Sequence, residues 1–215
     1  MAVIVPTITT ADQTVFSTNL QEFATFARRI QIDTSDGTFA ATTMVGLNEM
    51  ELPEGVQTDL HLMTARPSQY LERVIELKPS LCIVHVEVDD NLLGIAQGLH
   101  GAGIKFGLAL LKGTYPRRAQ QLIAEADHIM IFAGSLGEQG GQADLLQYEK
   151  VPIIRELKQD IEIGWDGGAN LSNVRALAHA GIDVINVGSA ITNAPDHAAM
   201  YKAISEEAER KGVLI

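Results

Sequence analysis

Residues 161–189, IEIGWDGGANLSNVRALAHAGIDVINVGS, hold one complete strand–helix–strand unit. Ile161, Ile163 and Trp165 alternate with Glu162, Gly164 and Asp166, which is the period of a β-strand. The apolar set must face a packed layer of helices, so Asp166 points to the opposite side. Gly167 and Gly168 end the strand. Asn170 is placed to cap a helix over Leu171–Ala180, and Gly181 to stop it. Val184–Val187 then reads as the next strand, closed by Gly188 and Ser189.

The same unit recurs along the rest of the chain. Short strands rich in Val, Ile and Leu are predicted at Val3–Val5, Arg29–Asp33, Thr58–Leu62, Leu81–Val86, Phe106–Leu110, His128–Phe132, Glu162–Trp165 and Val184–Val187. Such runs suit parallel strands covered on both sides. Helical patterns fall between them at Asp12–Ala27, Pro67–Leu77, Asn91–His100, Pro116–Ala126, Tyr148–Lys158, Leu171–Ala180 and Pro195–Lys211. After the second strand only Asn48–Leu52 precedes Pro53, so an irregular crossover is expected there. These alternations predict one α/β domain over residues 1–215, a single (β/α)8 TIM barrel. The alternative is an open doubly wound sheet. Its glycine-rich turn is missing, because the first strand leads into Pro6-Thr7-Ile8-Thr9.

Composition narrows the function. With 16 Lys and Arg against 27 Asp and Glu, the net charge of −11 repels polyanions, so no nucleic acid is expected as partner. The start lacks a basic, apolar leader and no run is long enough for a membrane helix, so a cytoplasmic protein without membrane contact is expected. One cysteine, Cys82, excludes an intrachain disulfide and a cysteine-based metal cage. Cys82 and His85 read as core residues. His100, His128, His179 and His197 read as lying on or beside helices, away from the site.

In such a barrel the chemistry sits at the C-terminal strand ends. Alternation sends Asp33 and Asp166 into the same mouth, where two carboxylates suit proton removal from one face of a carbon and return to the other. The carbon must be acidified by a neighbouring carbonyl, and a divalent ion held by His61 and the carboxylates could stabilise the enediolate oxygens. Gly140-Gly141-Gln142, Gly167-Gly168 and Gly188-Ser189 follow the sixth, seventh and eighth strands, where glycine lets the backbone approach a phosphate.

Taken in order, Val5-Pro6-Thr7-Ile8, residues 30–39 (IQIDTSDGTF), Asp59-Leu60-His61-Leu62-Met63, Val84-His85-Val86-Glu87, Gly140-Gly141-Gln142, Asp166-Gly167-Gly168 and Gly188-Ser189-Ala190-Ile191 resemble the ribulose-phosphate 3-epimerase family. The resemblance implies a ribulose-phosphate-binding barrel that inverts carbon 3 of a ketopentose phosphate through an enediolate. It implies Asp33 and Asp166 as the acid/base pair. It further implies Asp33, His61 and Asp166 as ligands of a divalent metal (Zn, Fe, Mn or Co). Thr7, His61, Gly140, Gly141, Gly167, Gly168, Gly188 and Ser189 would contact the small phosphorylated sugar. Gln31 stands where the family has a metal-ligating histidine, which implies weakened or absent metal binding. Ser35 stands where the family usually has methionine, and Leu111-Lys112 where it commonly has Asn-Pro. Two alternatives stay open: a catalytically impaired phosphosugar-binding barrel, and another ketose-phosphate enzyme using Lys112 as an amine nucleophile. A homo-oligomer is expected for a barrel of this type.

Overall fold

The computed structural model describes residues 2–137 and 140–211. Eight parallel strands close into a barrel in sequence order: β1 (Val3–Ile8), β2 (Arg29–Ser35), β3 (Gln57–Met63), β4 (Leu81–His85), β5 (Lys105–Leu110), β6 (His128–Phe132), β7 (Glu162–Asp166) and β8 (Val184–Val187). Around them lie α1 (Gln13–Phe23), α2 (Leu71–Leu77), α3 (Leu92–Gly101), α4 (Gln120–Glu125), α5 (Lys150–Leu157), α6 (Val174–His179), α7 (Ser189–Thr192) and α8 (His197–Glu209). Every strand expected from the sequence is present. β1 runs on to Ile8 because its ladder passes from β8, which it pairs through Pro6, to β2, which it pairs from Thr7. Pro6 thus sits where the ladder changes partner, and its missing N–H is tolerated there.

The helices follow their capping chemistry. The Asp12 carboxylate accepts from the Thr14 and Val15 N–H groups, and the Asn91 side chain accepts from Gly94. Asn170 caps only a turn, through Ser172, and the regular helix begins at Val174. The β2–β3 crossover is irregular, as expected, with one short 3-10 turn at Leu47–Glu49. It is tied down at Asp36, whose carboxylate accepts from the Thr38, Thr64 and Tyr70 hydroxyls.

The main core lies between barrel and helices, where Ile30, Ile32, Leu60, Val84, Phe106, Leu108, Ile163 and Trp165 are buried. Inside the barrel Leu81, Ile83, Ala109, Met130 and Phe132, all from β4–β6, form a smaller apolar cluster. The end away from the C-terminal mouth holds an ion network. Arg29 reaches Asp59 at 2.7 Å and Glu162 at 2.8 and 2.9 Å, and the His128 Nδ1 lies 2.8 Å from Glu162. His128 thus opens β6 as expected and lies away from the mouth, but it is buried inside the barrel as part of this network. No described helix is long and apolar enough to cross a membrane.

Candidate active site

The C-terminal mouth is lined by Thr7, Thr9, Asp33, Asp166, Asn186, Ser189 and the glycines at 134, 137, 140, 141, 167, 168 and 188, with Met44, Met63 and Phe132 as its apolar walls. The cavity thus gathers the residues expected from β1, β2, β6, β7 and β8. Inward-facing positions supply its polar floor, as the register shows. Thr7 is in register with Gln31, Asp33 with His61, and Asp166 with Asn186.

The two carboxylates share one set of partners. The Gln31 Nε2 donates to Asp33 Oδ1 at 2.9 Å and to Asp166 Oδ2 at 2.5 Å. The Thr9 hydroxyl donates to Asp33 Oδ2 at 2.7 Å. The His61 Nδ1 lies 3.1 Å from Asp33 Oδ1 and 3.9 Å from Asp166 Oδ2. Burial, and then the neighbouring Asp33 charge, push the Asp166 carboxyl up to about 7. Burial opposes charging of His61, but its hydrogen bond to Asp33 and the charges of Asp33 and Asp166 outweigh that and raise it. Behind His61 the contact continues inward. Its Nε2 lies 2.9 Å from the His85 Nε2, and the His85 Nδ1 lies 3.5 Å from Glu87. Burial depresses His85 to about 4, so the neutral ring is favoured there. His85 is the buried core histidine expected from the sequence. His61 is also fully buried, behind the carboxylates, and does not border the cavity.

Three potential ligand atoms, from Asp33, His61 and Asp166, lie within 4.8 Å of one another. One imidazole nitrogen and two carboxylate oxygens fit a divalent transition ion. Gln31 adds a polarity that can adapt. Its nitrogen faces the carboxylates, while its buried Oε1 has no partner among the described residues. Turned over, the amide would bring its oxygen to the same gap, an arrangement that needs a cation between the acceptors.

The glycines make the rim. Gly167 has φ +114°, and a Cβ there would meet the Gly134 N at 2.1 Å. Gly168 has φ +69°, and a Cβ would meet the Ala143 N at 2.2 Å. Only glycine fits both the conformation and the backbone contact. Gly140 and Gly141 approach from the β6 loop. A Cβ on Gly140 would lie 3.6 Å from the Ser189 hydroxyl, so the loop closes against the end of β8. Glu138 and Gln139 of that loop lie outside the described residues.

Lys112 does not join the site. It is exposed and borders a separate cavity with Tyr115, Gln147 and Lys150, so the reading that needed its amine in the mouth loses its geometry. Cys82 is a buried thiol that burial pushes up to about 12, unsuited to nucleophilic work. His100 pairs with Asp127 and His197 with Glu22, both outside the barrel. Sequence reasoning passed over Thr9 and Asn186. Each carried a signal, since Thr9 shares the parity of Thr7 and Asn186 is a lone amide in an apolar strand.

Comparison with known proteins gives a family and a fold. The ribulose-phosphate 3 epimerase family matches residues 3–192. A ribulose-phosphate 3-epimerase of Mycobacterium leprae is 28% identical over 215 residues, covering 95% of this chain and 94% of the relative. Among solved structures, a 3-hexulose-6-phosphate synthase from Salmonella typhimurium superposes with a TM-score of 0.72 at 15% identity, covering 96% of this chain and 98% of that one. KGPDC from Streptococcus mutans, solved in complex with a phosphosugar, gives 0.75 at 12% identity, with 97% of each chain covered. At these identities the two structures speak for the barrel fold alone.

Proposed function

The chain belongs to the ribulose-phosphate 3 epimerase family, and on that footing we propose that it inverts carbon 3 of a ketopentose phosphate, with Asp33 and Asp166 as the two acid/bases. The observation that carries this reading is the shared cavity in which one Gln31 amide touches both carboxylates. The curated relatives are named for this reaction, and the phosphosugar bound by one structural neighbour belongs to the same ligand class.

The reaction needs a proton moved from one face of carbon 3 to the other. One carboxylate removes the proton while the opposite carboxyl delivers its own, and the two exchange roles in reverse. Thr9 and His61 hold Asp33 in place. Gln31 does the same for Asp166. The glycine rim at 140, 141, 167, 168 and 188, with Ser189, receives the phosphate and fixes the distance to the reacting carbon. Thr7 lies on the cavity wall beside the sugar, and Phe132, Met44 and Met63 exclude water from it. Asp33, His61 and Asp166 would hold a divalent ion, which would supply positive charge for the enediolate oxygens.

Incubation of the purified protein with ribulose 5-phosphate, with and without added Zn, Fe, Mn or Co, is expected to yield the carbon-3 epimer by NMR. No epimer under any of these conditions would refute the proposal. Gln31 gives a second expected result. Gln31→His adds an imidazole to the donor set and is expected to tighten zinc binding at least about tenfold by calorimetry. Unchanged affinity would mean that position 31 does not face the ion.

A further inference from the structure

The floor of the cavity carries polar atoms that neither the carboxylate pair nor the glycine rim uses. Asn186 is 2% exposed, and neither its Oδ1 nor its Nδ2 has a hydrogen-bond partner among the described residues. It borders the cavity together with Asp166 and Ser189. On β8 it stands in register with Asp166 of β7 and comes two residues before Gly188. Its side chain therefore occupies the wall between the Asp166 carboxylate and the Gly188–Ser189 corner. The Thr7 hydroxyl, on the other neighbour of β8, is likewise buried without a partner.

A buried amide with both ends unpaired costs stability in the free protein. Such a group is explained where a ligand completes it. In a five-carbon phosphosugar, the epimerised carbon 3 sits at the carboxylates and the phosphate on carbon 5 sits at the glycine corner. Carbon 4 and its hydroxyl lie between them. We infer that Asn186 is a specificity-determining residue that reads the C4 hydroxyl. Its Oδ1 accepts from that hydroxyl, and its Nδ2 donates to an oxygen on the adjacent carbon. This assignment rests on the epimerase reading of the same site.

The test is Asn186→Leu, which keeps the shape and removes both polar atoms. The free variant is expected to melt a few degrees higher than the wild type, because an unpaired buried amide is replaced by an apolar side chain. Its kcat/KM for ribulose 5-phosphate is expected to fall about 30- to 100-fold. For the 4-deoxy analogue the fall is expected to be clearly smaller, about 3- to 10-fold, since only the Nδ2 contact remains to be lost. A lower melting temperature in both Asn186→Leu and Asn186→Val would assign the amide to holding the fold and overturn the inference. So would an equal loss on both substrates. If the wild type turns over neither sugar, the epimerase reading fails on its own. Calorimetric binding of the two sugars then decides the role of Asn186. Preference for the hydroxylated sugar in the wild type and none in Asn186→Leu sustains the inference, and equal preference in both overturns it.

Discussion

Replacing Asp166 with asparagine is expected to lower epimerisation by about 10²- to 10⁴-fold, the range set by loss of a positioned acid/base. The fold should survive. Asp166→Asn keeps an acceptor for the Gln31 amide and removes a buried like charge beside Asp33. The informative readout is proton exchange in heavy water with each epimer supplied separately. Asp33 remains able to strip carbon 3 of one epimer, so exchange persists for that epimer while inversion stops. Asp33→Asn is expected to show the mirror pattern, keeping exchange with the other epimer only. Weakened metal binding would lower both exchanges together, so the complementary pattern belongs to two bases. Loss of both exchanges in one variant and of neither in the other would point to a single base.

The second large effect concerns stability at the far end of the barrel. Arg29 is held between Asp59, which is 1% exposed, and Glu162. Burial pushes the Asp59 carboxyl up against the opposing pull of Arg29. For Glu162, burial is outweighed by His128 and Arg29, which hold its carboxyl well below the usual range. Arg29→Ala strands Asp59 and leaves Glu162 with His128 alone, and removing one partner of a buried pair costs about 3–5 kcal/mol. At about 2–4 °C per kcal/mol for a chain of this size, the melting temperature falls by about 6–20 °C. The sign with pH follows. A carboxylate depressed in the fold stabilises above its unfolded pKa, and that contribution is lost as pH falls through the folded value. In the wild type the Glu162 contribution is therefore lost only well below the ordinary carboxylate range. In Arg29→Ala the stranded Asp59 prefers to be neutral, so the deficit should shrink as pH falls through that range. Thermal melts from pH 7 to pH 4 check this, and a deficit that grows on acidification would contradict it.

The barrel was legible because strand alternation is local. Ile163 and Trp165 announce their side of the sheet from their own neighbours, as Ile30 and Ile32 do, and that alone aimed Asp166 and Asp33 inward. What stayed hidden depends on closure. Arg29 meets Glu162 across 133 positions, and no window of residues shows that pairing. The same holds for the contact of His128 with Glu162, which needs β6 and β7 side by side. The Gln31 bridge needs β2 and β7 to face each other across the mouth, which follows from the closed strand order alone. Lys112 suited catalysis by residue type, but its loop turns outward. Asn186 was visible as a polar residue in an apolar strand; its meaning came from a burial that leaves both amide atoms unpaired.

The sharpest test follows the proton. Ribulose 5-phosphate carrying ordinary hydrogen at carbon 3 is converted in heavy water, and the first product formed is examined by NMR before the reverse reaction sets in. Two carboxylates on opposite faces give a product deuterated at carbon 3 while the remaining substrate keeps its hydrogen. Product that retains the original hydrogen at carbon 3 would mean that one group carries the proton across, and Asp33 and Asp166 would not be the two bases.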